Sequence, residues 1–273
     1  MTEYTQANRK LWNAWTKIHE NSKFYDNASF KAGRNTLRSI EREELGDVSG
    51  KTLLHLQCHF GQDTLSWARL GAHVTGVDLS DEAIRLAQSL AVKLGLPARF
   101  ICADLYELST VLTEQFEIVF TSYGVLAWLS DLKRWAQIVA RYLEPGGTFY
   151  MVEIHPFADT LGDWDTAATE LKVVYPYFQT SEPMAFDAET SYAEPEAKHT
   201  QPITNYQWNH SFSEIITALA SAGLQIEFLH EFPMTVFQQL PFMEERDGWW
   251  QLPADMPALP LLFSLKATKS VES

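Results

Sequence analysis

The chain has 273 residues, of which 46% are hydrophobic and 21% charged, a composition typical of a globular protein with a sizeable core. Its net charge of −14 is uneven, because residues 1–150 carry −1 and residues 151–273 carry −13. A protein that binds a nucleic-acid backbone needs clustered Lys and Arg side chains, so this acidity argues against a nucleic-acid substrate. Solubility alone is the simpler explanation of the acidity.

Targeting and membrane signals are not visible in the sequence. The first residues contain no apolar run of the kind that a secretory signal needs, and no stretch of about 18 apolar residues predicts a membrane-spanning helix. The two cysteines, Cys58 and Cys102, suggest no disulfide framework. We therefore expect a cytoplasmic protein with reduced cysteines and no membrane partner.

Residues 1–47 show a polar, helical pattern. Trp12, Trp15, Ile18 and His19 recur at spacings of three and four, which places them on one face of a helix. Two interpretations stay open. The face packs on the adjoining domain, or the segment forms a helical lid over a bound cofactor.

A strand–helix alternation begins near residue 51. The pattern predicts strands at 52–56, 73–78, 99–103, 116–122 and 148–154, and helices at 62–70, 80–94 and 131–142. Gly71 and Gly95 follow two of the helices, and Pro145-Gly146-Gly147 follows the third. Alternating strands and helices with short connections predict an α/β fold with a doubly wound, mostly parallel sheet.

The alternation stops after residue 155. Residues 156–209 hold prolines, acids and aromatic residues without a sustained period, which predicts an inserted cap, because long loops in compact domains are often functional. Ser211 and Glu214 fit a capping box that starts a helix running to Ala222. Two last strands are predicted at 225–231 and 261–268. The chain thus divides into residues 1–47, 48–155, 156–209 and 210–273.

The turn after the first predicted strand reads Gln57-Cys58-His59-Phe60-Gly61. A dinucleotide-binding turn uses G-x-G-x-x-G to seat a pyrophosphate on a helix N-terminus, and here only Gly61 is present. Asp63, at the start of the helix, would repel a pyrophosphate. Asp78 ends the second strand, where an acid can accept hydrogen bonds from ribose hydroxyls. The pattern favours a nucleoside cofactor without phosphates.

Five blocks in order resemble class I S-adenosylmethionine-dependent methyltransferases. They are LLHLQCHFG at Leu53–Gly61, GVDLS at Gly76–Ser80, CADL at Cys102–Leu105, FEIVFTSYGVLAWLSD at Phe116–Asp131, and YLEPGGTFYMVE at Tyr142–Glu153. The family's first motif is roughly V-L-D-L-G-C-G-x-G. This chain has His55 at the place of its acid, and Gln57 and His59 at the places of two glycines. The first block is similar to that of a bacterial subgroup with generic methyltransferase labels.

This resemblance implies S-adenosylmethionine as cofactor and a seven-stranded Rossmann-like sheet with an antiparallel last strand. It implies that Asp78 binds the ribose and Asp104 the adenine amine, with Leu79 and Leu105 against the ring. The remaining residues expected at the cofactor are His55, Gln57, Cys58, His59, Gly61, Ser122, Tyr123 and Arg34. Arg34 is a candidate partner of the methionine carboxylate, and a solvated surface arginine is the alternative. A turn that has drifted would leave a non-catalytic binding protein instead.

The acceptor is expected to be a small molecule, neutral or amine-bearing. Residues 155–200 contain nine acids against Lys172 and Lys198, and carry many aromatic rings. Aromatic faces beside carboxylates suit a cation. The rings are Trp164, Tyr175, Tyr177, Phe178, Phe186 and Tyr192, with Tyr206 and Trp208 beyond. The alternative is that the acids face water and the rings form the cap's own core.

Tyr123 and Trp128 are predicted to form the floor of the acceptor site, and Tyr123 is also a candidate catalytic residue. His155 and His210 are candidate general bases, because histidine titrates near neutral pH. A structural role is the alternative for each. His55, Cys58 and His59 are metal-ligand types, but their spacing matches no zinc pattern, so we expect no metal. We expect Cys58 to pack rather than to act as a nucleophile.

Overall fold

A computed structural model describes residues 1–162, 168–197, 199 and 201–271. Its centre is a seven-stranded sheet in the order β3-β2-β1-β4-β5-β12-β8. Strands β1 to β5 run parallel, and β12 is antiparallel to both β5 and β8. The predicted doubly wound sheet with an antiparallel last strand is confirmed. The order reverses between β1 and β4, where ligands bind in such sheets.

The sheet strands follow the predicted alternation closely. They are β1 Thr52–Leu56, β2 His73–Asp78, β3 Ala98–Cys102, β4 Phe116–Ser122, β5 Leu143–Ile154, β8 Leu224–Phe232 and β12 Leu262–Lys269. The helices are α1 Glu3–His19, α2 Asn27–Lys31, α3 Ser39–Leu45, α4 Gln62–Arg69, α5 Asp81–Leu94, α6 Leu132–Tyr142 and α7 Phe212–Ser221. Ser80 caps α5 and Ser211 forms the predicted capping box with Glu214.

The start of β5 differs from the prediction. The strand begins at Leu143, five residues before the expected position, because Leu143 already pairs with Phe116 of β4. The ladder resumes at Ile118 with Thr148, so the Pro-Gly-Gly segment is an excursion inside the strand. Gly146 has a φ of 78°, in the region that favours glycine. The sequence correctly indicated a turn at this segment, but it did not indicate that the turn lies inside a strand.

Two smaller sheets lie outside the central one. Within the predicted cap, β6 Met184–Ala188 and β7 Ile203–Gln207 form an antiparallel hairpin. The aromatic-rich loop after β8 contains β9 Met234–Thr235, β10 Glu244–Arg246 and β11 Trp249–Gln251, which pair as a three-stranded sheet. Neither sheet was predicted, because strands of two to five residues leave too few positions to show a period.

The hydrophobic core lies on both faces of the central sheet. On one face Leu54, Val119 and Trp135 pack between the strands and helices α6 and α7. On the other, Leu53 and Trp67 pack under α3 and α4. Among the described residues, no helix combines the length and the hydropathy that crossing a membrane requires.

Candidate functional site

The turn between β1 and α4 keeps a glycine-like backbone at positions where this chain has side chains. Gln57 and His59 have φ angles of 57° and 49°, and Gly61 has 77°. For a residue with a Cβ this conformation costs about 1–2 kcal/mol. At Gly61 a Cβ would also stand 2.6 Å from the Phe100 ring. The two substituted positions therefore accept backbone strain and preserve the shape of the turn.

The Asp78 carboxylate lies against this turn. Its Oδ2 accepts a hydrogen bond from the His59 backbone N at 2.7 Å, and its Oδ1 accepts one from the Ser80 N at 2.8 Å. Burial raises the pKa of Asp78 to about 6, and the backbone donors oppose that rise. Each carboxylate oxygen can accept a second hydrogen bond, so both keep capacity for ligand hydroxyls.

The His59 side chain connects the turn to α1 and to the segment after β6. Its Nε2 lies 2.8 Å from Nδ1 of His19, whose Nε2 lies 2.6 Å from Oγ of Ser191. Burial lowers the pKa of His19 to about 3 and the pKa of His59 well below its ordinary value. The two imidazoles are therefore neutral near pH 7, one donating and the other accepting.

Aromatic rings surround this histidine pair. Trp12 lies edge-on to His59 with centroids 5.2 Å apart, and edge-on to Trp128 at 5.3 Å. The hydroxyls of Tyr25 and Tyr192 are hydrogen-bonded to each other. We call this set the aromatic cover, composed of Trp12, Trp15, His19, Tyr25 and Tyr192. It lies over the turn and joins residues 1–47 to the cap.

Helix α1 is also fixed beside Asp78 by polar contacts. Asn13 accepts a hydrogen bond from the Ser80 hydroxyl at 2.6 Å, and Arg9 pairs with Asp81 at 2.9 Å. On its other side, the Asn8 amide donates to Tyr206 O and accepts from Tyr206 N, both at 2.8 Å. The helix thus bridges the start of α5 and strand β7.

Comparisons with known proteins identify the domain that carries this turn. Residues 53–147 match a family model described as a methyltransferase domain. Residues 53–147 therefore form a methyltransferase domain. The ubiquinone biosynthesis O-methyltransferase of Aeromonas salmonicida is 27% identical over 113 residues, which are 41% of this chain and 47% of that protein. The chain spans about half the length of the curated relatives that it matches.

Solved structures share the fold over most of the chain. An S-adenosylmethionine-dependent methyltransferase from Mesorhizobium loti has a TM-score of 0.58 at 20% identity, covering 88% of this chain and 100% of that one. A putative methyltransferase from Listeria monocytogenes has a TM-score of 0.59 at 20% identity, covering 89% and 99%. The likeness confirms the Rossmann-like fold of the methyltransferase domain.

Unused acceptors in and around the turn fit the cofactor of such domains. Gln57 donates its Nε2 to Val125 O at 3.0 Å, and its Oε1 is buried without a hydrogen-bond partner among the described residues. An ammonium or hydroxyl group can donate to that oxygen. Together with the free capacity of Asp78, this suits a cofactor that carries a ribose and an amino acid.

The residues expected at the adenine follow β2 and β3. Asp104 ends the segment after β3, and its Oδ1 accepts a hydrogen bond from Tyr106 N at 3.0 Å. Leu105 is buried in the core cluster below it, and Leu79 is half-buried. The structure therefore brings the acid to the expected strand end, and places Leu105 deeper than Leu79.

The segment after β4 contains the predicted floor of the acceptor site. Trp128 donates to Gly124 O at 2.9 Å and contacts the aromatic cover. Tyr123 has a φ of 44° and directs its hydroxyl to Oε2 of Glu41 at 2.8 Å. Burial and Glu41 raise the pKa of Tyr123 well above its ordinary value. The two rings thus have different surroundings, Trp128 at the cover and Tyr123 at α3.

His55 and Cys58 are buried beside the turn. The Nδ1 of His55 lies 2.8 Å from the Thr64 hydroxyl, and burial lowers its pKa to about 3, so no charge stands at the family's acid position. Cys58 packs with Phe60 and Phe100, and burial raises the pKa of its thiol well above the ordinary value. A thiol that stays protonated is a weak nucleophile. Among the described residues, no three potential ligands gather as a metal site.

Arg34 lies at the surface beside α2. Its guanidinium donates to Tyr25 O at 2.9 Å and reaches Asp26 O at 3.4 Å. The side chain is exposed, and its backbone carbonyl accepts a hydrogen bond from Arg69 at 2.7 Å. In this arrangement Arg34 closes the loop that carries Tyr25.

The two candidate bases differ in how their rings are engaged. Nε2 of His155 lies 2.9 Å from Glu231, and its Nδ1 accepts from Phe157 N at 3.0 Å. Nε2 of His210 lies 2.8 Å from Leu129 O, while its Nδ1 is buried without a partner among the described residues. Burial lowers the pKa of both. His210 therefore retains an unused nitrogen, and His155 does not.

The cap's aromatic residues are found in several places among the described residues. Tyr175 lies 5.6 Å from Phe186 and Tyr177 lies 5.1 Å from Phe178, which is 68% exposed. Trp208 is buried, and Tyr192 belongs to the aromatic cover. The expectations for Trp164 and Lys198 fall outside the described residues. A cavity of about 370 Å³ lies beside α3 and the end of α4, away from the strand ends, lined by Ser39, Arg42, Glu43, Gly46, Asp47, Val48 and Leu70.

Two carboxylates, one half-buried and one buried, were not predicted as site residues. Asp63, in the first turn of α4, accepts a hydrogen bond from the Thr36 hydroxyl at 2.5 Å. Glu41, on α3, is fully buried, and burial with the nearby Asp63 raises its pKa to about 7. The acid at the start of α4 was visible in the sequence. Glu41 gave no signal, because a single acid in a charged helix is ordinarily solvated.

Proposed function

We propose that the protein transfers a methyl group from S-adenosylmethionine to a small neutral or amine-bearing acceptor. The observation that carries this proposal is the Asp78 carboxylate at the end of β2, held against a turn that has only Gly61 of the glycines in a phosphate-binding pattern. A dinucleotide would place its pyrophosphate near Asp63 at the start of α4, where like charges repel. A nucleoside cofactor meets no such repulsion.

In this proposal the residues divide the cofactor among them. Asp78 accepts the ribose hydroxyls and Asp104 the adenine amine, with Leu79 and Leu105 against the ring. The turn lines the methionine and ribose side. Arg34 remains a candidate for the methionine carboxylate, although its guanidinium now donates to Tyr25 O.

Bound S-adenosylmethionine supplies an electrophilic methyl group on a sulfonium, so the chain's own residues need to align the acceptor and exclude water. The aromatic cover and Trp128 supply apolar walls for such a site. Where the acceptor loses a proton, His210 is better placed than His155 to take it, because its Nδ1 has no partner among the described residues. Tyr123 would contribute through its hydrogen bond to Glu41.

Charge and relatives support different parts of the acceptor proposal. The acidity of residues 151–273 disfavours strongly anionic acceptors. The relatives named ubiquinone biosynthesis O-methyltransferases support an oxygen nucleophile as one candidate. We therefore test phenols, amines and carboxylic acids together.

The experiment measures release of S-adenosylhomocysteine from wild-type protein with each acceptor class, and calorimetry compares S-adenosylhomocysteine with NAD. We expect turnover of amines or phenols and micromolar binding of S-adenosylhomocysteine, a free energy near −8 kcal/mol. Turnover of anionic acceptors alone would show that the charge argument is wrong. Tighter binding of NAD would show that the cofactor is wrong.

The second candidate function is binding without catalysis. The aromatic cover favours this candidate, because His59 stands at a position where the first motif of the family has glycine, and its side chain contacts the rings of the cover. Binding of S-adenosylhomocysteine without its release in the presence of cell extract would support this candidate over the first.

A further inference from the structure

Asp63 lies beside the point where the strand order of the sheet reverses, between β1 and β4. It follows Gly61 by two residues, in the first turn of α4, and is half-buried. Its Oδ1 accepts from the Thr36 hydroxyl at 2.5 Å, and its Oδ2 lies 3.5 Å from Oγ of Ser122 at the end of β4. The carboxylate therefore reaches across the crevice between neighbouring strands β1 and β4.

None of the ion pairs in the part of the chain that the structure describes includes the Asp63 carboxylate. Two guanidinium groups are in its vicinity, but each has other partners. Arg34 donates to Tyr25 O, and Arg38 donates to Gly248 O at 2.6 Å and lies 4.6 Å from the centre of the Trp249 ring.

The surroundings of Asp63 hold a second carboxylate, that of Glu41, whose pKa is raised mainly by burial and also by the charge of Asp63. Burial raises the pKa of Asp63 as well, while the Thr36 hydroxyl and the charges of Arg38 and Arg34 oppose the rise. A partly buried, unpaired carboxylate is costly, and a cationic ligand would remove that cost.

A second feature at the same crevice also requires a donor. The Oε1 of Gln57 is buried without a hydrogen-bond partner among the described residues, and the Nε2 of the same side chain donates to Val125 O beyond β4. At the family's acid position the chain has His55, which is neutral and bonded to Thr64. The negative charge is therefore absent from β1 and present at Asp63, in the first turn of α4.

We infer that Asp63 binds the α-ammonium group of the methionine portion of the cofactor, with Gln57 Oε1 as a second acceptor. The inference rests on the proposed function, because it assigns a residue to the proposed cofactor. Asp78 then takes the ribose hydroxyls on the β2 side of the turn, and Asp63 takes the charged end on the β4 side. Ser122 and Thr36 orient the carboxylate by donating to its oxygens.

The test uses three nucleosides that differ in the amino-acid portion. S-adenosylhomocysteine carries ammonium and carboxylate, its aminopropyl analogue carries the ammonium alone, and 5′-methylthioadenosine carries neither. Calorimetry measures each against the wild-type chain and Asp63→Asn, which keeps an acceptor for Thr36 and removes the charge. Asp47→Asn, at an exposed aspartate after α3, is the matched control.

We expect Asp63→Asn to weaken the two ammonium-bearing nucleosides by about tenfold or more, the loss of one charge-assisted hydrogen bond. Binding of 5′-methylthioadenosine stays unchanged, and Asp47→Asn changes none of the three. Asp63→Glu, which moves the charge by one methylene, recovers part of the loss. Equal losses for all three nucleosides, or no loss, overturn the inference.

Failure of the inference and failure of the proposed function give different results. Wild-type binding of S-adenosylhomocysteine together with an unaffected Asp63→Asn variant contradicts the inference alone. If the wild-type chain binds none of the three nucleosides, the proposed cofactor is wrong and the inference is overturned with it. Thermal unfolding of each variant shows whether a loss of affinity reflects a loss of fold.

Discussion

The central sheet and the segments that cover its ligand edge are held together by different physics. In the sheet, aliphatic side chains such as Leu54 and Val119 are fully buried between strands and helices. In the segments that cover the ligand edge, hydrogen bonds join residues far apart in sequence, such as His19 with Ser191 and Asn8 with Tyr206. Burial of apolar area stabilises the first region, and hydrogen bonds between rings and hydroxyls position the second.

This difference separates stability from access to the site. A sheet held by many apolar contacts tolerates the loss of one hydrogen bond, whereas a cover held by a few polar pairs changes its position when one is lost. The four predictions below test this division, from the largest expected effect to the smallest.

The first prediction contrasts the core with the surface of the cap. Leu54→Ala should lower the free energy of unfolding by about 2–5 kcal/mol, because the side chain is fully buried and leaves a cavity. Phe178→Ala, at a ring that is 68% exposed, should change it by no more than about 0.5 kcal/mol. Urea unfolding measures both. Equal effects would show that the cap belongs to the same cooperative core.

The second prediction concerns the acid at the end of β2. Asp78→Ala should weaken S-adenosylhomocysteine binding by about 2–3 kcal/mol, since it removes charge-assisted bonds to the ribose and a support of the turn. A 2′-deoxy analogue should lose less on the same substitution, because it has one fewer hydroxyl to donate. Calorimetry at fixed salt measures the affinity for both ligands, and an unchanged affinity for S-adenosylhomocysteine would refute the role of Asp78.

The third prediction uses pH to test the buried acid of α3. Burial raises the pKa of Glu41 to about 7 in the folded chain, from 4.5 for an ordinary glutamate. Between these values the folded state holds a proton that the unfolded state has released, so stability is fully present below about pH 4.5 and is lost as pH rises through 7. Relative to Glu41→Gln, the wild type should lose on the order of 1–3 kcal/mol between pH 4.5 and 8.

Asp78 titrates in both proteins of that comparison, so its contribution cancels and the difference reports on Glu41 with its neighbour Asp63. Chemical unfolding at several pH values measures the difference in the free energy of unfolding between the wild type and Glu41→Gln. A difference that does not vary with pH would mean that Glu41 is ionised in the folded chain throughout.

The fourth prediction tests the hydrogen bond within the aromatic cover that joins residues 1–47 to the cap. Tyr25→Phe removes the hydroxyl that is hydrogen-bonded to Tyr192. The free energy of local opening of residues 1–31 should fall by about 1 kcal/mol, which amide exchange would record as faster exchange in α1 and α2. Tyr4→Phe is the matched control, because the Tyr4 hydroxyl meets Glu182 at 3.3 Å in an exposed position. Identical exchange in the two variants would argue against a role for the Tyr25–Tyr192 pair in closing the cover.

The parts of the fold that follow a period were predictable, and the parts built from side-chain pairs were not. Strands β1, β2 and β4 were placed to the residue, since buried parallel strands are continuous apolar runs bounded by turn residues. Asp78 was found as a strand-end acid. The hydrogen bond from His19 to His59 spans 40 positions, and no local pattern indicates such a contact. Asp63 was noticed only because it would repel a pyrophosphate, since the absence of an ion pair at its carboxylate among the described residues is a property of the folded chain.

The Phe100 ring has a consequence for how this turn should be recognised in other sequences. It lies where a Cβ on Gly61 or on Gly76 would be, 2.6 and 2.7 Å from those positions. Both glycines are thus required by a neighbouring strand, whatever occupies the ligand edge. A descendant of this protein that had given up its ligand would still retain them. On the proposed assignment, the diagnostic positions for a working site are the polar ones, Asp78 and Asp63, which the packing of the core does not require.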